Sequence, residues 1–240
     1  MANAYFQFKQ FTINQDRCAM KVTTDGCLFG AWVAAQLKKQ PAKSLLDIGT
    51  GTGLLSLMIA QQCDAEIDAV EIDKDSFDQS AENITASPWV GRINAIHADA
   101  RQFICPSVYD VIVSNPPFYE NELRSANTKK NMAHHDESLL LQELLAIVHQ
   151  NLCANGDFYL LLPYKRKEEI EELFEESALC ISHITLVKQS VHHSPFRMLV
   201  KGTHARSNIV LTTGEIAIRN ETNEYTDTFT TLLQAYYLHL

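Results

Sequence analysis

Between Ser44 and Leu162 short apolar runs alternate with helical patterns, and this alternation restricts the fold more than any other feature of the chain. Strands are expected at Ser44 to Ile48, Ile67 to Ile72, Ile93 to His97, Val108 to Ser114 and Phe158 to Leu162. Helices are expected at Leu54 to Gln61, Lys74 to Ala86 and Ser138 to Asn151. The runs are too short for amphipathic helices and too continuous for strands with one wet face, so they suit a sheet buried on both sides. Such an order predicts an α/β fold, a doubly wound and mostly parallel seven-stranded sheet with helices on both faces.

The flanks complete the pattern. A polar and aromatic start carrying Tyr5, Phe6, Phe8 and Phe11 leads into a helix from Asp25 to Ala35, closed by Gln40 and Pro41. Residues 1–40 therefore read as an N-terminal extension and lead-in helix packing on a main domain of residues 41–240. Ala154-Asn155-Gly156 reads as a turn before the strand at Phe158. The charged helix Lys165 to Ser177 turns Ile170, Leu173 and Phe174 inward, and Ile181 to Val187 with Phe196 to Lys201 suits an antiparallel edge hairpin. A short strand at Glu215 to Arg219 and an amphipathic helix from Thr226 to His239 close the chain.

No apolar stretch approaches the ~18 residues needed to cross a bilayer, and the start MANAYFQFKQ has no basic segment followed by an apolar core. A cytoplasmic protein with no membrane partner is expected. The six cysteines are scattered without a C-x-x-C pair and read as reduced, small apolar residues. A formal charge of −9 argues against coating nucleic acid through bulk electrostatics while leaving room for a local basic patch. His134-His135 and His192-His193 lack a third spaced ligand, so no metal is expected. No obligate protein partner is evident.

Two motifs carry chemistry. Asp47-Ile48-Gly49-Thr50-Gly51-Thr52-Gly53 directly follows a buried strand and precedes a helix, where glycines let the backbone turn tightly and approach a ligand. A dinucleotide fingerprint would need glycine at position 54, which is Leu54. At the end of the next strand, about 20 residues on, Glu71 is placed to accept both hydroxyl protons of a ribose; Asp73 reads as a helix N-cap. The second motif, Asn115-Pro116-Pro117-Phe118, follows the strand that a doubly wound order sets beside the glycine-loop strand, so both would face one crevice. Prolines fix the backbone so that the Pro116 carbonyl and the Asn115 side-chain oxygen can accept the two hydrogens of a planar amino group, with Phe118 as a stacking face.

The glycine loop resembles motif I of the Rossmann-like S-adenosylmethionine methyltransferases, and Asn-Pro-Pro-Phe resembles the tetrapeptide of those that methylate amines and amides. The resemblance implies S-adenosylmethionine as cofactor, Asp47 near its ammonium, Gly49, Gly51 and Gly53 around it, Glu71 on the ribose, Asp99 and Ala100 at the adenine, and Asn115 at the transferred methyl. Phe8-Lys9-Gln10-Phe11, Asp16 to Val22, Thr24-Asp25-Gly26, Ser87-Pro88-Trp89 and Gln234 to Tyr237 are similar to segments of the bacterial tRNA1(Val) adenine-N6 methyltransferase family, which acts on the adenosine at position 37 beside the anticodon. Close relatives often carry tyrosine where this chain has Phe118. Within that family Lys21 and Thr24 are implied as contacts to the cofactor carboxylate. The polar, basic segment Arg124 to His135, with Lys129 and Lys130, reads as an active-site loop able to meet RNA phosphates, and Pro117 and Arg197 are further RNA candidates. The same tetrapeptide also serves guanine-N2 methylation of rRNA and glutamine methylation of release factors, and a non-catalytic cofactor-binding module stands as the non-enzyme alternative.

Overall fold

A computed structural model describes residues 3–18, 20–105, 107–117, 139–205 and 209–240 of the 240. Two short strands, β1 (Tyr5–Gln7) and β2 (Thr12–Asn14), pair antiparallel at the start. Helix α1 (Thr24–Lys39) is longer than expected; Thr23 caps it by accepting from the Gly26 N–H, and Lys38 and Lys39 complement its C-terminal dipole. Then come β3 (Ser44–Ile48), α2 (Leu54–Ala60), β4 (Glu66–Glu71), α3 (Lys74–Thr85), β5 (Ile93–His97) and β6 (Tyr109–Ser114). The second half runs α4 (Leu141–Asn151), β7 (Leu152–Pro163), a 3-10 turn (Tyr164–Arg166), α5 (Lys167–Glu175), β8 (Leu179–Ser190), β9 (Pro195–His204), β10 (Thr212–Arg219) and α6 (Asp227–Leu233).

The main sheet has the order β10-β8-β9-β7-β6-β3-β4-β5. Among the described residues eight strands rather than seven form it, because β10 pairs parallel with β8 and covers the outer side of the expected hairpin. Strands β3 to β7 are parallel, and β9 runs antiparallel between β7 and β8. Alternate residues feed two cores, as burial on both faces requires. Leu45, Val111, Val113 and Tyr159 pack with α1, α2 and α6, while Leu46, Ile48, Ile112 and Phe158 pack with α4 and α5 through Leu144, Val148, Ile170 and Phe174. Each such fully buried apolar side chain contributes about 1.5–3 kcal/mol relative to exposure.

Two local expectations give way to tertiary demands. Ala154-Asn155-Gly156 does not reverse the chain. It lies within β7 as an extended irregularity in the pairing, for Tyr109 pairs with Leu152 and Val111 with Asp157, leaving residues 153–156 opposite Asp110 alone. A Cβ on Gly156 would stand 2.8 Å from the Asp110 carbonyl, which is why glycine sits there. The closing helix ends at Leu233 rather than His239, since the backbone beyond it is used elsewhere: the Lys9 N–H donates to the Tyr236 carbonyl and Phe8 bridges Tyr237. Tyr236 also donates its hydroxyl to the Met58 carbonyl at 3.0 Å, tying both termini to α2.

The chain winds outward from β3 through β4 to β5, then returns to place β6 on the other side of β3. The carboxyl ends of β3 and β6 thus form the switch point where doubly wound sheets bind ligands.

Candidate active site

Asp47, next to last in β3, is fully buried. The Thr50 and Ser56 hydroxyls each donate to its Oδ2 at 2.7 Å, whereas its Oδ1 is buried with no partner among the described residues. Burial pushes its carboxyl up to about 6 against those two hydrogen bonds. A buried carboxylate oxygen left unpartnered is costly, and a cationic donor arriving with a ligand would remove that cost.

Beyond Ile48 the chain enters the left-handed region at Gly49, Gly51 and Gly53, with φ of 71°, 58° and 82°. A side chain would be strained there, and among the described residues a Cβ on Gly49 or Gly51 would meet nothing within 4 Å. The described residues thus leave room for a ligand on the loop's outer side. The Gly51 N–H donates to Glu71 Oε2 at 2.8 Å and the Asp73 N–H to Glu71 Oε1 at 2.9 Å. Glu71, at the end of β4, is 8% exposed and keeps acceptor capacity on both oxygens. Asp73 caps α3 through the Ser76 N–H, as its sequence position predicts.

Ile48 pairs with Ser114, so Gly49 and Asn115 leave the sheet side by side. Asn115 is half-buried, Pro116 buried and Pro117 exposed. A Cβ on Gly26, in the first turn of α1, would come within 4.0 Å of Asn115 Nδ2, so the start of α1 walls the same crevice. Asp99 and Ala100 follow β5, the strand beside β4; Asp99 accepts from the Arg101 N–H and is paired with its guanidinium, which holds its carboxyl below the usual range.

The other candidates are less converged. Lys21 is exposed, with its ammonium 3.4 Å from the Asn3 carbonyl, and Thr24 is an exposed first residue of α1 whose neighbour Thr23 makes the cap. Arg197 stands on β9 opposite Pro163 and is ion-paired with Asp25 at 2.8 Å. Phe118, Arg124, Lys129, Lys130 and the His134-His135 pair lie outside the described residues.

Sequence reasoning missed a buried polar face on α3 formed by Ser76, Gln79, Ser80 and Asn83. Their spacing of i, i+3, i+4 and i+7 is that of a helix's inner stripe, and four polar residues on it were the available signal.

These features define the class: a Rossmann-like methyltransferase. The family model for the methyltransferase small domain matches residues 30–178. Over its full length the chain belongs to the tRNA1(Val) (adenine(37)-N6)-methyltransferase family. It is 39% identical to the member from Christiangramia forsetii across 100% of both chains, and 38% identical to that from Dyadobacter fermentans across 98% of both. Among solved structures, a predicted O-methyltransferase from Agrobacterium tumefaciens superposes with a TM-score of 0.65 at 17% identity, covering 88% of this chain and 96% of the other. The glycopeptide N-methyltransferase MtfA in complex with S-adenosylmethionine superposes at 0.54 and 12% identity, covering 73% and 94%. At such identities these two speak for the fold alone.

Proposed function

We propose that this chain transfers a methyl group from S-adenosylmethionine to N6 of the adenosine at position 37 of tRNA1(Val), in the anticodon loop. The observation that carries this reading is the pairing of Ile48 with Ser114, which sets the glycine loop and Asn115-Pro116 at one crevice in a chain similar end to end to relatives of that name.

The residues present fit the cofactor. Asp47, with its unpartnered buried oxygen, and the open glycine loop would hold the amino acid portion, joined by Lys21 and Thr24. Glu71 would take the ribose, with Asp99 and Ala100 at the adenine. Bound there, S-adenosylmethionine supplies a methyl group made electrophilic by its sulfonium.

An adenine amino group is a poor nucleophile because its lone pair is delocalised into the ring. Asn115 Oδ1 and the Pro116 carbonyl accept its two hydrogens and so fix the plane of the group and the direction of the lone pair. Phe118 stacks on the extruded base, which costs little to unstack in a single-stranded loop. No general base is required, since the nitrogen becomes acidic once alkylated and loses its proton to water. Pro117, Arg124, Lys129, Lys130 and Arg197 would position the RNA through its backbone.

The test is incubation with methyl-labelled S-adenosylmethionine and, separately, unmodified tRNA1(Val), rRNA and release factor, followed by mass mapping of nuclease fragments or peptides and by nucleoside analysis of the labelled RNA fragment. Label recovered as N6-methyladenosine from position 37 supports the proposal. Label on rRNA guanine or on release factor, with none on tRNA, overturns it in favour of another acceptor. Binding of cofactor with no transfer to any of the three overturns it in favour of a non-catalytic module.

A further inference from the structure

The buried polar face of α3 lies outside every role assigned so far. Ser76, Gln79, Ser80 and Asn83 are 5%, 1%, 0% and 1% exposed. A helix normally presents apolar residues on its inner stripe, and polar ones persist there only when their hydrogen bonds are satisfied. Ser80 bonds within its own helix, to the Phe77 carbonyl. The others reach out to the N-terminal segment. Asn83 Oδ1 accepts from the Asn14 N–H at 2.9 Å, while its Nδ2 donates to the Asn14 carbonyl and the Thr52 carbonyl, each at 2.9 Å. Gln79 Oε1 accepts from the Arg17 N–H at 3.2 Å, and the Ser76 hydroxyl lies beside the Cys18 thiol. Arg17 also pairs with Glu82 on the same helix.

Asn83 meets both backbone groups of Asn14, as a neighbouring strand would, and with its remaining hydrogen holds Thr52 of the glycine loop. Both ends of the amide are used, so it fixes the segment and the loop relative to each other. The consequence lies downstream. Cys18 comes to rest against Ser76, close enough to Glu71 and Asp73 for their charges to act on its thiol, and Met20 Sδ lies 3.9 Å from Asn115 Nδ2. From Asn14 onward the chain thus runs from the acidic end of β4 toward the Asn115 end of β6.

We propose that Asn83 is a positioning residue for cofactor binding, which holds the segment Asn14–Cys18 against the glycine loop as a wall of the cofactor crevice. This rests on the cofactor reading above. Asn83 touches neither methyl donor nor acceptor, and its effect passes through Asn14, Thr52 and Cys18.

The experiment compares the parent, Asn83→Ala and Gln79→Ala by calorimetric titration with S-adenosylmethionine. In parallel, the rate of Cys18 alkylation by iodoacetamide is followed by peptide mass mapping, with and without cofactor. In the parent, cofactor is expected to slow Cys18 alkylation. Asn83→Ala is expected to raise Kd tenfold or more, to speed Cys18 alkylation several-fold without cofactor, and to lower kcat at saturating cofactor by a smaller factor. Gln79→Ala, which loses one bond, shifts Kd and alkylation in the same direction by a smaller factor. A folded Asn83→Ala protein whose Kd and Cys18 alkylation rate stay within twofold of the parent overturns the proposal. If Asn83→Ala does not fold, Gln79→Ala decides by whether both quantities move. Failure of the parent to bind cofactor strikes the functional reading instead, and the cofactor-free alkylation rates then still decide whether Asn83 holds the segment.

Discussion

The Ser114 hydroxyl donates to the Ile48 carbonyl at 2.7 Å, joining the last residues of β6 and β3 where both chains leave the sheet. This bond adds to the backbone pairing of Ile48 with Ser114 in setting the separation between the glycine loop and Asn115. Ser114→Ala removes it from a site 1% exposed, at a cost of about 1 kcal/mol and a few degrees of melting temperature. Single-turnover methyl transfer is expected to slow about tenfold, because small misplacements of reacting groups are amplified in rate. Cofactor Kd should stay within about twofold by calorimetry. An unchanged transfer rate would show that the sheet holds the two loops without this hydroxyl.

Asn115→Ala removes the side chain proposed to accept from the amine while leaving the glycine loop, Asp47 and Glu71 in place. Its effect should fall on kcat, by about a hundredfold or more in keeping with loss of a positioned polar group, with cofactor Kd little changed. Equal activity in variant and parent would take Asn115 out of the reaction.

The role proposed for Asp47 would link stability to cofactor binding. Its folded pKa of about 6 lies above its ordinary 3.8, so between those values the folded state holds a proton that the unfolded state has released. Stability contributed at this group is complete below pH 3.8 and falls as pH rises to about 6, by about 3 kcal/mol, then stays low. Asp47→Asn should therefore melt higher than the parent above pH 6, the difference narrowing toward pH 4, as scanning calorimetry would record. The same variant should bind cofactor much more weakly. In the parent, cofactor affinity should fall as pH drops below about 6, since a cation is held by the charged form. Undiminished affinity in the variant would remove Asp47 from the cofactor site.

What was legible in the sequence was what the backbone settles locally. Glycines that must adopt positive φ and prolines that fix the chain announce themselves by residue type, so the loop at Gly49 to Gly53 and the turn at Asn115 to Pro117 could be placed before any coordinates. The long-range partners could not. Asn14 and Asn83 are 69 residues apart, and an asparagine on a helix reads as solvent-facing until its partner is seen. Arg197 reads as a free basic side chain, yet it is paired with Asp25, 172 residues away. Ala154-Asn155-Gly156 carries turn chemistry, but pairing on both sides of Asp110 draws it into β7. Strand β10 was readable, whereas its place beside β8, and so the eighth strand of the sheet, depends on tertiary packing alone.

The charge of −9 leads to the last prediction. Several basic side chains on this chain already have acidic partners: Arg197 with Asp25, Lys201 with Asp157, Lys188 with Glu215 and Arg17 with Glu82. A phosphate approaching any of these also meets the neighbouring carboxylate, whose like charge reduces the gain. Recognition of one base in a folded RNA can instead rest on a shaped pocket with a few phosphate contacts, three or four of them giving a slope of log K against log salt of about −2 to −3. Filter binding of tRNA1(Val) between roughly 50 and 200 mM salt would measure it. Changing Lys129 and Lys130 together to alanine should flatten the slope by about 1.4, while the binding that remains still discriminates for the anticodon loop. A parent slope near −10 would mean a broad basic surface and would contradict the reading that pocket and shape, rather than bulk charge, select the RNA.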